Sequence, residues 1–159
     1  MNTRAFGSGR PVSLFTLGTM RALNSAAQMA EVLDAAAAAG INHLETAPAY
    51  GPAERFLGEA LRQNSRTGSD HWVITSKLLP GLSFEEGQRR LDQILERLGC
   101  PQLDNLAIHG INREEHLDWA LVGDGSWGLE RAVCSGRVSQ VGFSSPGGTP
   151  LIERALRRP

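Results

Sequence analysis

Four side chains able to hold or move a proton stand out in the sequence. They are Glu45 and Tyr50 in INHLETAPAYG (41–51), Lys77 at the end of HWVITSK (71–77), and His109 in LDNLAIHGIN (103–112). Tyr50 is the only tyrosine in the chain. A free phenol titrates at about 10 and a lysine ammonium at about 10.4. An ammonium beside a phenol favours the phenolate, which lowers the cost of removing the phenol's proton. A carboxylate beside the ammonium keeps it charged and aimed. An imidazole close by can bond the oxygen that receives the proton. Such a set suits a carbonyl becoming an alkoxide. It is not a nucleophile set, because the sequence alone places no Ser or Cys beside the His.

The elements that must position these residues alternate between strand and helix. VSLFTLG (12–18) reads as a strand ended by Gly18. NSAAQMAEVLDAAAAAG (24–40) reads as a helix capped by Asn24 or Ser25, with Met29, Val32, Leu33 and Ala36 at helical spacing and Gly40 just past its end. The alanines 35–39 read as a close-packing helix face. INHLET is the next strand. Gly51 and Pro52 open a helix whose buried side is Phe56, Leu57, Ala60 and Leu61. NSRTGSD (64–70) is a polar loop and HWVITSK a strand. SFEEGQRRLDQILERLG (83–99) carries a capping box, Ser83 to Glu86, an apolar stripe of Leu91, Ile94, Leu95 and Leu98, and a terminating Gly99. QLDNLAIHG is a strand, followed by helical character over 113–121 and 129–135. RVSQVGFSS is a fifth strand, and GGTPLIERALRRP begins a helix with Thr149 as cap and Pro150 at its first position.

Strands recurring about every thirty residues between helices predict parallel βαβ units. An open doubly wound sheet and a (β/α)₈ barrel both fit. The first strand lacks the G-x-G-x-x-G expected of the former, which favours the barrel. In such a barrel the active site lies at the C-terminal ends of the strands. Glu45, Lys77 and His109 end three consecutive strands, with Tyr50 in the loop beyond the first. A whole barrel needs about 250 residues, so the 159 residues predict a partial barrel of about five βα units. Its first and fifth strands would have unpaired edges, and its inner face would leave apolar surface wet. Self-association through the open edges is the expected result.

Composition narrows the function classes. The formal net charge is −1, which gives no reason to expect nucleic acid or an acidic membrane surface. Two cysteines, Cys100 and Cys134, form no C-x-x-C, so reduced cytoplasmic thiols are expected. VSLFTLGTM (12–20) is too short and too interrupted for a secretion signal, and no apolar run reaches membrane-spanning length.

GINHLETAPAYG, VITSKL, LDNLAIHGIN and GRVSQVGFSS, in this order, resemble the aldo-keto reductases. The resemblance extends from RAFGSGRPVSLFTLGTMR, similar to the family's N-terminal hairpin and first strand, over essentially the whole chain. LERLGCPQLDNLAIHGIN is similar to a bacterial and archaeal branch that often carries a C-terminal iron–sulfur segment, which this sequence does not contain. The resemblance implies one domain over residues 1–159, C-terminally incomplete, and NADPH-dependent reduction of small aldehydes or ketones. It implies a catalytic tetrad of Tyr50, Lys77, His109 and Glu45, where Glu45 replaces the family's aspartate and adds one methylene. It also implies cofactor contacts at Gly18, Thr19 and Met20 in the first loop, and at Ser144 and Ser145 after the fifth strand. The last barrel loops, which hold the cofactor's phosphates in the family, lie beyond this sequence.

Two other readings compete. His43 and Glu45 are two apart on a strand and face the same side, so with His109 they could ligate a metal in a hydrolase. His43 would otherwise fill the barrel interior. The chain could also be a non-catalytic barrel fragment that binds a partner through its edges. Cofactor titration separates the three. His71 and His116 read as surface residues, and Trp119 and Trp127 as either pocket walls or packing.

Overall fold

The computed structural model describes residues 2–22, 24–63 and 71–157. Two short strands, β1 (Thr3–Arg4) and β2 (Val12–Ser13), pair antiparallel. They are followed by β3 (Thr16–Gly18), α1 (Ala26–Ala38), β4 (His43–Glu45), a 3₁₀ turn (Pro48–Tyr50) and α2 (Ala53–Gln63). Next come β5 (Val73–Leu78), α3 (Phe84–Leu98), β6 (Leu103–Ile108), α4 (Glu114–Val122), α5 (Asp124–Cys134), β7 (Val138–Phe143) and α6 (Thr149–Leu156). The polar loop expected over 64–70 lies outside the described residues.

Strands β3 to β7 form one parallel sheet in the order β3-β4-β5-β6-β7. Each strand neighbours the next in sequence, and the order never reverses. Right-handed crossovers then place every connecting helix on the same face. This is the winding of a barrel, five strands of it, and not of a doubly wound sheet.

Local chemistry accounts for the helix boundaries. Ser25 Oγ accepts from Gln28 N at the start of α1, and Ser83 Oγ accepts from Glu86 N at the start of α3. Gly99 ends α3 in the left-handed conformation, with φ of 69°. The expected cap Thr149 is instead the first residue of α6; Gly148 occupies the cap position and offers no side chain. Of the alanines 35–39, Ala36 is buried and Ala37 is partly buried against the core, so only part of the run packs inward. Between sheet and helices lies one core, including Leu33, Leu44, Leu57, Ile94, Leu98 and Leu106, all fully buried. Each such side chain contributes about 1.5–3 kcal/mol.

The predicted strand VSLFTLG divides. Val12–Ser13 belongs to the hairpin and only Thr16–Gly18 enters the sheet. Asn42 enforces the break: its side chain accepts from Ser13 N (2.7 Å) and donates to Pro11 O (3.0 Å), and its N–H donates to Ser13 Oγ (3.1 Å). The hairpin lies across the N-terminal ends of the strands. Phe6 packs against the His43 ring (4.8 Å between centroids), Gly9 N–H donates to Gln140 Oε1 (3.1 Å), and Arg10 pairs with Asp104 (2.8 Å).

The inner face corrects the expectation of wet apolar surface. It carries a hydrogen-bonded row across four strands: Thr16 Oγ1 to His43 Nδ1 (2.8 Å), His43 Nε2 to Thr75 Oγ1 (2.9 Å), and Asn105 Nδ2 to Thr75 Oγ1 (3.3 Å). His43, Thr75 and Asn105 are buried. Polar side chains that satisfy one another fill the position where unpaired apolar ones were expected.

Candidate active site

The three strand ends do converge. Glu45 closes β4, Lys77 lies near the end of β5, and His109 follows β6. The 3₁₀ turn after β4 carries Tyr50 back over the sheet, and Gly51 (φ 59°) turns the chain into α2.

Lys77 Nζ donates to Tyr50 Oη at 2.7 Å and to the carbonyl of Thr46 at 3.3 Å, and it forms an ion pair with Glu45 Oε1. Tyr50 Oη donates to the same Glu45 oxygen at 3.1 Å. The Lys77 ammonium also lies 4.6 Å from the centre of the Tyr50 ring. His109 meets that ring edge-on, with centroids 5.8 Å apart. Because glutamate reaches one methylene further than aspartate, its carboxylate serves both the ammonium and the phenol.

Burial dominates the proton affinities. It pushes Lys77 down to about 8 and raises Tyr50 above the ordinary phenol value. The sequence suggested a lowered Tyr50; in the folded chain desolvation outweighs the help from Lys77. His109 is lowered by burial and then by the Lys77 charge, so its imidazole is neutral at pH 7.

The expected cofactor residues divide into two groups. Gly18 and Met20 are exposed at the end of β3, and a Cβ on Gly18 would stand 3.4 Å from Glu45 Oε2. Thr19 is only 1% exposed and its hydroxyl donates to Thr46 Oγ1 at 2.9 Å, so it braces the loop from within. Ser144 Oγ accepts from Gly110 N (3.0 Å) and donates to Ile108 O (3.4 Å). Ser145 Oγ donates to Ile111 O and accepts from Gly147 N (3.1 Å). Both serines hold the loop that carries His109, and each hydroxyl keeps one lone pair free of these bonds.

His43 sits below the site, both ring nitrogens taken by threonine hydroxyls, and burial lowers its proton affinity. Among the described residues no group of three or more His, Cys, Asp and Glu side chains is placed to hold a metal, so the hydrolase reading finds no support in the geometry. His71 and His116, read as surface residues, are half-buried and bonded to Ile41 O (3.0 Å) and Gly110 O (3.1 Å). Trp119 donates to Leu82 O (2.7 Å), while Trp127 is exposed. A cavity of about 840 Å³ opens at the other end of the sheet, beside Arg10, Trp72 and Gln140, away from all four proton-handling residues.

Sequence reasoning missed one buried ionic group behind the site. Glu54, also 1% exposed, accepts from Ser76 Oγ (2.6 Å) and from Arg97 Nε (2.7 Å). The available signal was a carboxylate three residues before Leu57, on the apolar side of α2.

Comparison with known proteins bears on the family and the fold. The Aldo/keto reductase family profile matches residues 14–159. A Pseudomonas aeruginosa protein assigned to the aldo-keto reductases superposes with a TM-score of 0.84 at 30% identity, over 98% of this chain and 63% of that one. An aldo-keto reductase from Bacillus halodurans in its holo form gives 0.82 at 23% identity, over 99% and 54%. An aldo/keto reductase from Brucella melitensis gives 0.77 at 23%, over 98% and 58%. The chain therefore spans less than two thirds of the length of these relatives. With the family profile covering nearly all of its residues, the chain belongs to the aldo/keto reductase family.

Proposed function

We propose that this chain carries the proton-donating half of an NADPH-dependent carbonyl reductase site. The observation that supports it best is the contact of Tyr50 with both Lys77 and Glu45 at the C-terminal end of the sheet. Tyr50 gives its proton to the oxygen of an aldehyde or ketone. Lys77 donates into the phenol oxygen and stabilises the phenolate left behind. Glu45 compensates the buried ammonium. The neutral His109 ring offers an N–H to the carbonyl oxygen as negative charge grows there. For the proton to reach substrate, the phenol must first turn away from Glu45.

NADPH, when bound, supplies the hydride. Gly18 and Met20 give it an open rim, and the remaining lone pairs of Ser144 and Ser145 suit the NH₂ of a carboxamide. All four residues are uncharged, so they fit the nicotinamide end of the cofactor, not its phosphates.

The test is Tyr50→Phe in a complete barrel containing this chain, with aldehyde reduction followed by NADPH consumption. Losing a positioned general acid costs about 10²–10⁴-fold in turnover, while NADPH affinity should stay near that of the parent. Reduction at the parent rate would remove Tyr50 from the role.

A further inference from the structure

We propose that Glu54 is a positioning residue, which fixes the separation of Tyr50 and Lys77 from the opposite face of the sheet. The inference rests on the roles given above to that pair. Three elements meet at the Glu54 carboxylate. Glu54 lies in the first turn of α2, four residues after Tyr50. Ser76, fully buried on β5, is the residue before Lys77, and its side chain points to the other face of the strand. Arg97 belongs to the last turn of α3. The Glu54–Ser76 bond therefore ties the chain just beyond Tyr50 to the strand position just before Lys77. The 3₁₀ turn of Tyr50 packs against both α2 and β5, so the tie closes a small loop around the catalytic pair.

Arg97 makes the arrangement sustainable. A carboxylate this deeply buried needs a counter-charge, and the close approach of α2 and α3 delivers one. A Cβ on Gly58, one turn beyond Glu54, would stand 2.1 Å from the Arg97 carbonyl. With no side chain there, the two backbones touch and the guanidinium reaches over the carboxylate.

Lys77 is the only lysine and Tyr50 the only tyrosine in the sequence, so each can be observed alone. The experiment uses the 159-residue chain labelled with ¹³C-lysine and ¹³C-tyrosine. It reads the midpoint of the single lysine titration, the lysine–tyrosine cross-peaks and the melting temperature. In the parent the midpoint is expected near 8. In Glu54→Ala the pair should loosen, Lys77 gain water and its midpoint rise by about one unit or more toward the free value of about 10.4. The cross-peaks should weaken at the same time. The sign is decisive, because removing a negative charge without moving the pair would lower the lysine midpoint. Ser76→Ala cuts the tie and leaves Glu54–Arg97 in place; it should shift the midpoint in the same direction, and it carries the test where Glu54→Ala does not fold.

Leu129→Ala in α5 is the control for plain destabilisation and should leave the midpoint unchanged. An unchanged or lowered midpoint in the folded Glu54 or Ser76 variant would overturn the proposal, and so would an equal rise in the control. Turnover is not read. An inactive complete enzyme would therefore count against the reductase reading alone, and a failed titration against Glu54 alone.

Discussion

The chain's only lysine and its only tyrosine touch, with Lys77 Nζ donating to Tyr50 Oη at 2.7 Å. Every other basic side chain except histidine is arginine, a group that stays protonated in proteins. The one side-chain amine of the chain stands beside its one phenol.

Glu45 holds that amine charged, which predicts opposite outcomes for two substitutions. Glu45→Asp keeps the carboxylate but retracts it from the phenol, and activity in a complete barrel should be retained. Glu45→Gln leaves Lys77 buried without its partner. The expected cost is about 2–3 kcal/mol, below the range for fully buried pairs because a quarter of the Glu45 side chain is exposed. The lysine midpoint should fall below 8, moving the alkaline limb of the rate profile to lower pH. Denaturant unfolding and a pH–rate series check both; a Gln variant with the parent's profile would show that Glu45 does not tune the pair.

Acid sensitivity should trace in part to His43. Burial lowers its proton affinity, partly offset by the Asp104 charge and reinforced by Arg4. The unfolded imidazole titrates at about 6.5. Between that pH and the lower folded value, the unfolded chain takes up a proton that the native chain refuses. Stability is therefore full above about 6.5 and falls as pH drops through this window, by at most about 1.4 kcal/mol per pH unit. His43→Gln should flatten the stability curve there, as read by urea unfolding at a series of pH values. A variant as acid-sensitive as the parent would assign the loss to other groups.

Gly58→Ala should destabilise through a clash of backbone, not side chain. The new Cβ has 2.1 Å to the Arg97 carbonyl, and the two helices must part to admit it. A loss of about 1–3 kcal/mol is expected, measured as a lower denaturant midpoint with an unchanged slope. Gly87, whose Cβ would meet nothing within 4 Å, is the matched control and should accept alanine without loss.

Among the described residues β3 and β7 each pair on one side only, and Val141 on β7 is half exposed. An unpaired parallel edge is a template for another strand. A polypeptide of these 159 residues should sediment as species heavier than the monomer, and Val141→Lys should shift it toward the monomer. Monomeric behaviour of the unmodified chain at high concentration would show that these edges do not recruit partners.

Both ends of α3 were legible because their signals are local. Ser83 with Glu86 and Gly99 after Leu98 are encoded within a few positions of where they act, whereas the cap of α6 falls on Gly148 and not on Thr149. The split of VSLFTLG was not legible, since Asn42 imposes it from a distant part of the chain. Glu54 and Ser76 escaped for the same reason: each looks ordinary in its own element and gains meaning only from the other and from Arg97. The direction of the Tyr50 shift depended on how deeply the phenol is buried, which neighbouring charges alone do not reveal.

The row of hydrogen bonds from Thr16 through His43 and Thr75 to Asn105 has a consequence for how the strands align. Apolar side chains in a sheet interior tolerate many pairings, because oily contacts are interchangeable. A donor and acceptor row does not. A slip of one residue in β4 or β5 would turn His43 or Thr75 to the opposite face and leave polar groups buried without partners. The row therefore works as a combination that only one alignment opens. That same alignment sets Glu45 opposite Thr75, one step from bringing its carboxylate to Lys77.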